Sequence, residues 1–462
     1  MEGAKAVARR TWLRLLVVAL GALAAAGLAL GGWWVRFGHR FEAAGLTIDP
    51  RARIDPERRY QLVVWDEVIA VPWAAETYAE VLAQAVAEFQ ERWPNAEVRL
   101  SLVDPHASQG HLAAAVAAGR PPDVYGTVRG LVVYPSHQIP ATPYLPAVSG
   151  DEPPYFQAAA LAGLTYDGAV WGWPRGLWWS VWLANAALLA RAGLDVERVL
   201  SQGWTWREFT DAAGRLSGAV NAMLVLDATS VATLEHLMLN AGAGGYAFDA
   251  GFNESALAQV AGILRGLIER RAIPADAEAA SRTRLQRLFE ERAAVIGPVG
   301  PTLVQAVLRR RPEQFTPVPI PHLENAAMVA PMEPGGYFVF RQDAYQGDDH
   351  VRLAMELAQW LAGRTEAWLA ETLGVIPART DALHAWQQLA PLDARSKSFL
   401  AGYLQHARTQ GLTLPAEAVA GLRARVAPHW QSFWAGSLAP EAFAAAVRRE
   451  LEQALDPPAG QP

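Results

Sequence analysis

The feature that most constrains this chain is a tryptophan-dense stretch, residues 163–185, reading GLTYDGAVWGWPRGLWWSVWLAN. Five of the protein's 18 tryptophans lie in it, at Trp171, Trp173, Trp178, Trp179 and Trp182, around a Pro174-Arg175-Gly176 step. Proline removes a backbone donor and glycine punctuates regular structure, so this step belongs in neither a central strand nor a helix interior. Asp167, Gly168, Gly172, Pro174 and Gly176 favour turns over packed elements, and the reading that fits them is an exposed or half-exposed aromatic loop. Flat rings supply large contact area at low rotamer cost, which suits a cleft gripping a flat, polar-edged ligand such as a sugar ring. The bland alternative is that the rings fill a junction between two parts of the molecule.

A chain of 462 residues is too long for one core and predicts two or three domains. With 52% hydrophobic and 19% charged residues it is globular, and a net charge of -6 leaves no basic field for nucleic acid. Cysteine is absent, which excludes disulfides, thiolate zinc sites, cysteine nucleophiles and a lipid-modified N-terminal cysteine. At the N-terminus Lys5, Arg9, Arg10 and Arg14 precede an uncharged apolar run, residues 15–35, closed by Trp33 and Trp34. As a helix, that run is about 31 Å long, enough to cross a bilayer core, and the charge asymmetry puts everything after it outside. An uncleaved membrane anchor is the reading adopted over a cleaved signal peptide. The bulk of the chain is extracytoplasmic either way, and secreted if the segment is removed. Residues 36–59, charged and carrying Pro50 and Pro56, read as a linker.

Beyond it the pattern alternates. Residues 60–65 (YQLVVW) and 98–102 (VRLSL) read as strands. Between them, Tyr78, Leu82, Ala85, Val86, Phe89 and Trp93 recur at helical spacing up to Pro94. A small-residue helix over 109–118 and a third strand at Val124-Tyr125 follow. Strand, helix, strand, helix argues for a parallel sheet with covering helices. Ligands in such sheets lie beyond the strands' carboxyl ends, so Asp66, Glu67, Thr127 and Arg129 are expected on one cleft wall. Further on, 178–192 runs into a helix, Thr205 and Glu208 form a capping box for a helix over 206–216, and 219–226 is a strand. Helices are expected at 234–240, 256–270, 284–292, 351–361 and 366–372, a strand at 294–296, and a helical tail from Asp381. The Gly242–Tyr246 run lacks the residues of a phosphate loop and reads as a turn.

A series of short motifs then appears in order: WPNAEV (93–98), AAGRPPDV (117–124), YDGAVWGWP (166–174), ARAGLD (190–195), WTWREF (204–209), FEERAAVIGP (289–298), PGGYFVF (334–340) and GVIPAR (374–379). Together they resemble the extracellular solute-binding proteins of ABC importers, the maltose- and sugar-binding branch in particular. The resemblance implies an α/β fold of the periplasmic-binding-protein-like class II. Two α/β lobes are joined by three hinge crossings, here preceded by one N-terminal transmembrane helix after a basic tail at 1–14. It assigns 60–172 with 336–376 to the first lobe and 173–335 with 377–456 to the second. It puts crossings near 171–175, 335–340 and 375–378, with Trp171, Trp173, Pro174, Val375 and Pro377 as hinge residues.

The implied activity is capture of a carbohydrate between the lobes and its delivery to ABC transporter permease subunits, by a monomer without cofactor or metal. Candidate ligand contacts are Trp65, Asp66, Glu67 and Arg129 on one side, Trp178, Trp179, Tyr246 and the loop 297–300 opposite, and Gly335, Gly336 and Tyr337 from the hinge. Two departures stand out. Only Asn185 survives of a usual Tyr-Asn-Lys triplet, and Val299 replaces an aromatic after the Gly-Pro turn. A degenerate sensor or scaffold is a second reading, and a glycosidase a third. No catalytic residue is assigned. The sequence has no Gly-x-Ser-x-Gly elbow or His-Glu-x-x-His motif, and His106 and His111 are badly spaced as metal ligands. Asp66-Glu67 and Asp151-Glu152 are adjacent pairs, and neighbours on a strand face opposite ways, so neither pair supplies both acids of a glycosidase.

Overall fold

A computed structural model describes residues 40–105, 107–146, 155–244, 251–274, 282–409 and 416–455. The predicted membrane segment, Tyr246, His106 and the Asp151-Glu152 pair lie outside these residues. Among them no helix is long and apolar enough to cross a membrane.

The elements that position the site run in chain order as β1 (Tyr60–Glu67), α1 (Tyr78–Arg92), β2 (Ala96–Val103), α2 (Ser108–Ala117), β3 (Val124–Thr127), β4 (Gly172–Trp179) and β5 (Val181–Asn185). Next come α3 (Trp206–Leu216), β6 (Ala222–Val225), α4 (Val231–Ala241), α5 (Glu254–Glu269), β7 (Ala293–Val299), α6 (Pro301–Leu308) and β8 (Phe315–Val318). The last are β9 (Ala330–Phe340), α7 (Asp348–Leu373), β10 (Ala407–Thr409), α8 (Ala416–Trp434) and α9 (Pro440–Leu455).

Two sheets result. The first has the order β10-β9-β3-β1-β2, with β1 parallel to both β2 and β3, and β9 antiparallel to β3. The second has the order β6-β7-β5-β8. The chain passes from the first sheet to the second at Ser180, between β4 and β5, and returns between β8 and β9. After α7 it runs back along β4, where Ile376 bridges to Leu177.

Local sequence explains the helices. Thr205 and Glu208 make the expected capping box on α3: the Thr205 N–H donates to the Glu208 carboxylate at 2.8 Å and the Glu208 N–H to the Thr205 hydroxyl at 3.2 Å. Thr77 and Glu80 repeat the device on α1. The helices expected separately at 351–361 and 366–372 are one helix, α7; no proline interrupts it, and the Thr365 hydroxyl is absorbed by the Leu361 carbonyl at 2.8 Å.

Three expectations are corrected. The aromatic loop is a strand: β4 is buried throughout and pairs antiparallel with β9 from Met332–Trp179 to Phe338–Gly172. Its tryptophans go separate ways. The Trp171 ring donates to the Tyr166 carbonyl at 2.9 Å, Trp173 sits edge-on to Phe156, and Trp179 donates to the Gly374 carbonyl at 2.9 Å, pinning the third crossing. Trp182 joins Trp204, Trp206 and Phe209 in the core beside the second sheet. Apolar residues 178–192 likewise divide into the end of β4, all of β5 and a short helix, Ala186–Arg191, capped by the Asn185 side chain. Short apolar runs of this kind suit strand and helix alike by periodicity. Finally, residues 40–59 are not a bare linker: Phe41–Ala43 and Leu46–Ile48 form a hairpin with Ile48 fully buried, and Arg58 makes an ion pair with Asp349 at 2.8 Å.

Candidate functional site

The ribbon β4/β9 carries a register shift between Gly335 and Gly336, and Arg175 is the extra residue on the opposite strand. Such a bulge re-aims a side chain, and here it drives Arg175 into the protein, fully buried. Its Nη1 donates to both oxygens of Asp66 at 3.2 and 3.3 Å and to the Tyr337 hydroxyl at 3.1 Å, and bonds the Tyr78 hydroxyl as well. Tyr337 and Tyr78 also donate to Asp66, Tyr78 at 3.0 Å. Burial raises the Asp66 carboxyl against the pull of Arg175, and burial lifts the two phenols above their ordinary range.

Glu67, one residue on, faces the other way. Its carboxylate accepts from Ser108, Tyr125 and Thr127 hydroxyls at 2.6, 3.0 and 3.0 Å and from the Val128 N–H at 2.7 Å.

Beyond these strand ends lies an open cleft of about 760 Å³. One wall carries Glu67, Val68, Thr127 and Arg129 from the carboxyl ends of β1 and β3. The other carries Asp227 and Ser230 just before α4, Thr233 and His236 in its first turns, residues 296–303 from the end of β7 into α6, and Arg423 of α8. Trp178, Ser180, Glu333 and Pro334 of the ribbon and its exit close the floor. The C-terminal helices pack on the second half, with α9 against α5, and they supply this wall too.

The cleft's charges are coupled. Arg423 meets Glu235 through two contacts of 2.8 and 3.0 Å. The Arg129 Nε lies 3.9 Å from Glu333, and neither of these two side chains makes a hydrogen bond to a described residue. Burial works to raise the Glu333 carboxyl, but Arg129, with His236 and Arg423, holds it below the usual carboxylate range. Burial lowers His236 to about 4, so it is neutral at physiological pH, and its Nδ1 lacks a hydrogen-bond partner among the described residues.

Of the sequence candidates, Glu67, Arg129, Trp178 and the 297–300 loop line the cleft. Asp66, Tyr337 and Trp179 do not; each is fully buried by the bonds just given, a correction forced by strand alternation and the bulge. Trp65 is turned into the cluster around Leu112 and Tyr125. Gly335 and Gly336 are close-approach positions rather than contacts: a Cβ on Gly335 would meet the Val128 carbonyl at 2.3 Å and one on Gly336 the Trp173 carbonyl at 3.0 Å. Trp171, Trp173, Pro174, Val375 and Pro377 lie in or beside the β4/β9 ribbon, and Val375 is buried. Glu333, His236 and Arg423 were not singled out by sequence reasoning. A lone acid in the apolar strand APMEPGGYFVF was the available signal for the first, and no local signal marked the others.

Residues 74–367 match the model of the family described as bacterial extracellular solute-binding protein. No curated protein matches the chain. Among solved structures, the acarbose-binding GacH receptor of Streptomyces glaucescens aligns with a TM-score of 0.64 at 17% identity, covering 86% of this chain and 99% of that one. Maltose-bound MalE3 of T. maritima gives 0.62 at 15% identity over 85% and 99%. The maltotriose-bound MalE domain of Bdellovibrio bacteriovorus gives 0.61 at 17% identity over 86% and 99%. At these identities the likeness is one of fold.

Proposed function

The chain belongs to the family of bacterial extracellular solute-binding proteins, and from that premise we propose that it captures a carbohydrate between its two sheets and passes it unaltered to the permease of an ABC importer. The observation that carries this reading is the open cleft itself. It is walled on both sides by loops beyond strand carboxyl ends and lined by hydroxyls, carboxylates and guanidinium groups suited to sugar hydroxyls. The ligands of the fold relatives, acarbose, maltose and maltotriose, are carbohydrates. The two sheet-bearing halves act as the lobes, hinged on the β4/β9 ribbon and on the crossing at Ile376, and ligand contacts made from both walls favour closure. The apolar run at 15–35 tethers the chain as a monomer outside the membrane, beside its permease. Chemistry on the ligand is not part of this reading, because Asp66 is sealed in its pair with Arg175 and Glu67 is held by four donors.

One observation favours a second reading, a sensor or scaffold with a degenerate cleft: of the five clustered tryptophans only Trp178 lines the gap, and it is 7% exposed. Thermal unfolding of the full chain in detergent separates the two. A sugar at about 100 times its Kd stabilises the native form by about 2.7 kcal/mol, so a panel of neutral mono- and oligosaccharides should contain one that raises the melting temperature. No shift with any sugar, together with a shift from a phosphorylated polyol or a peptide, would show the carbohydrate reading to be wrong.

A further inference from the structure

We propose that Arg129 and Glu333 form a diol-reading pair, which selects a neutral sugar presenting two adjacent hydroxyls; this inference rests on the carbohydrate reading above. Their 3.9 Å separation is too long for a hydrogen bond, yet close enough for each charge to hold the other in place. Both face the cleft with their hydrogen-bonding capacity unused by any described residue. A guanidinium only donates and a carboxylate only accepts, so the pair offers complementary halves to a group that does both. A hydroxyl is such a group. Two hydroxyls on neighbouring ring carbons can donate to Glu333 while accepting from Arg129, bridging the gap that the protein leaves open.

The placement supports this. Glu333 is the direct cross-strand partner of Trp178, so the two side chains share one face of the ribbon. A sugar edge at Glu333 therefore brings its ring against the indole. Arg129 arrives from the opposite direction, on the loop after β3, and His236 adds an unpartnered Nδ1 beside them. The remaining charges are closed: Arg423 by Glu235, Glu67 by four donors, and Asp227 by the Thr229 hydroxyl and N–H at 2.6 and 3.0 Å. Within the pair each charge already balances the other. An acidic sugar that draws on Arg129 therefore also meets Glu333, and an amino sugar that draws on Glu333 also meets Arg129, each as a like charge 3.9 Å away.

The test is isothermal titration of the full chain with maltose, maltotriose, a chitin oligosaccharide and tagatose, followed by work on whichever binds. Deoxy analogues of that sugar are then titrated against wild type, Glu333→Gln and Arg129→Gln. Removing one hydroxyl of the read pair should weaken wild-type binding roughly tenfold to a hundredfold, the cost of losing a hydrogen bond to a charged group. Glu333→Gln should weaken the parent sugar similarly and be nearly indifferent to that missing hydroxyl, while its far-ultraviolet circular dichroism matches wild type, which shows that the fold is kept. Parent-sugar affinity unchanged in Glu333→Gln, or full deoxy sensitivity retained in it, overturns the pair and leaves carbohydrate capture standing. If neither these four sugars nor any neutral sugar of the thermal-unfolding panel binds wild type, carbohydrate capture and the reading pair fall together.

Discussion

Replacing Arg175 by methionine tests whether the bulged strand, and not a flexible loop, sets the geometry between the two halves. In the native protein Arg175 and Asp66 are both fully buried and share contacts of 3.2 and 3.3 Å, with two phenols completing the group. Methionine keeps most of the volume and removes the charge, leaving Asp66 buried against two phenolic donors. Breaking a buried pair in this way costs about 3–5 kcal/mol, a large fraction of the roughly 5–15 kcal/mol that holds a typical protein folded. Urea unfolding of the full chain, followed by tryptophan fluorescence and far-ultraviolet circular dichroism, reads the loss. The deficit should shrink as pH falls from 7 towards 5. Without the guanidinium, burial raises the Asp66 carboxyl further above its unfolded value, and protonating it relieves the stranded charge. The double variant Asp66→Asn/Arg175→Met should recover most of the loss, because neither partner is then left charged alone. A loss under about 1 kcal/mol at pH 7, or a double variant that simply adds the two single losses, would refute the reasoning.

Two further outcomes follow from the packing around the cleft. Gly297→Ala would put a Cβ 2.1 Å from Trp182 Cδ1, so overpacking should destabilise the chain by about 1–3 kcal/mol, read from its chemical denaturation midpoint. His236 is depressed to about 4 by burial, so the unfolded state binds its proton first and stability is lost as pH falls from about 6.5 to about 4. The full effect is roughly 3 kcal/mol, and His236→Gln, which cannot titrate, should flatten that part of the stability profile.

Much of the scaffold was legible because its signals are local. The strand-helix alternation over 60–127, the capping box at Thr205 and Glu208, and the helices over 254–269 and 440–455 rest on spacing that a sequence displays directly. The central stretch was misread for a physical reason. Pro174 lacks a donor, but it sits opposite Gly336 of β9, and the other edge of β4 is bridged only further on, at Leu177, so this position tolerates the loss. Gly176 has a φ of 154° and lies where a Cβ would be 2.8 Å from Val375, so the glycine marks a tight crossing rather than a turn. The site was only half legible. Carboxyl ends of strands pointed to Glu67 and Arg129, but Glu333, His236 and Arg423 come from β9, α4 and α8, which only the tertiary fold brings together. Alternation along β1, which already set Asp66 and Glu67 on opposite faces, did not say which of the two faces the cleft, nor that a bulge 109 residues later supplies Asp66 with its cation.

On the proposed function, a sugar in this cleft is held by both walls at once. Hydrogen–deuterium exchange of the full chain, with and without the sugar that stabilises it, tests that directly. Protection is predicted in 127–131, 178–180, 227–236, 297–303, 333–334 and 419–423, segments from both sides of the gap. Protection of one wall alone, or of a surface away from these segments, would contradict it.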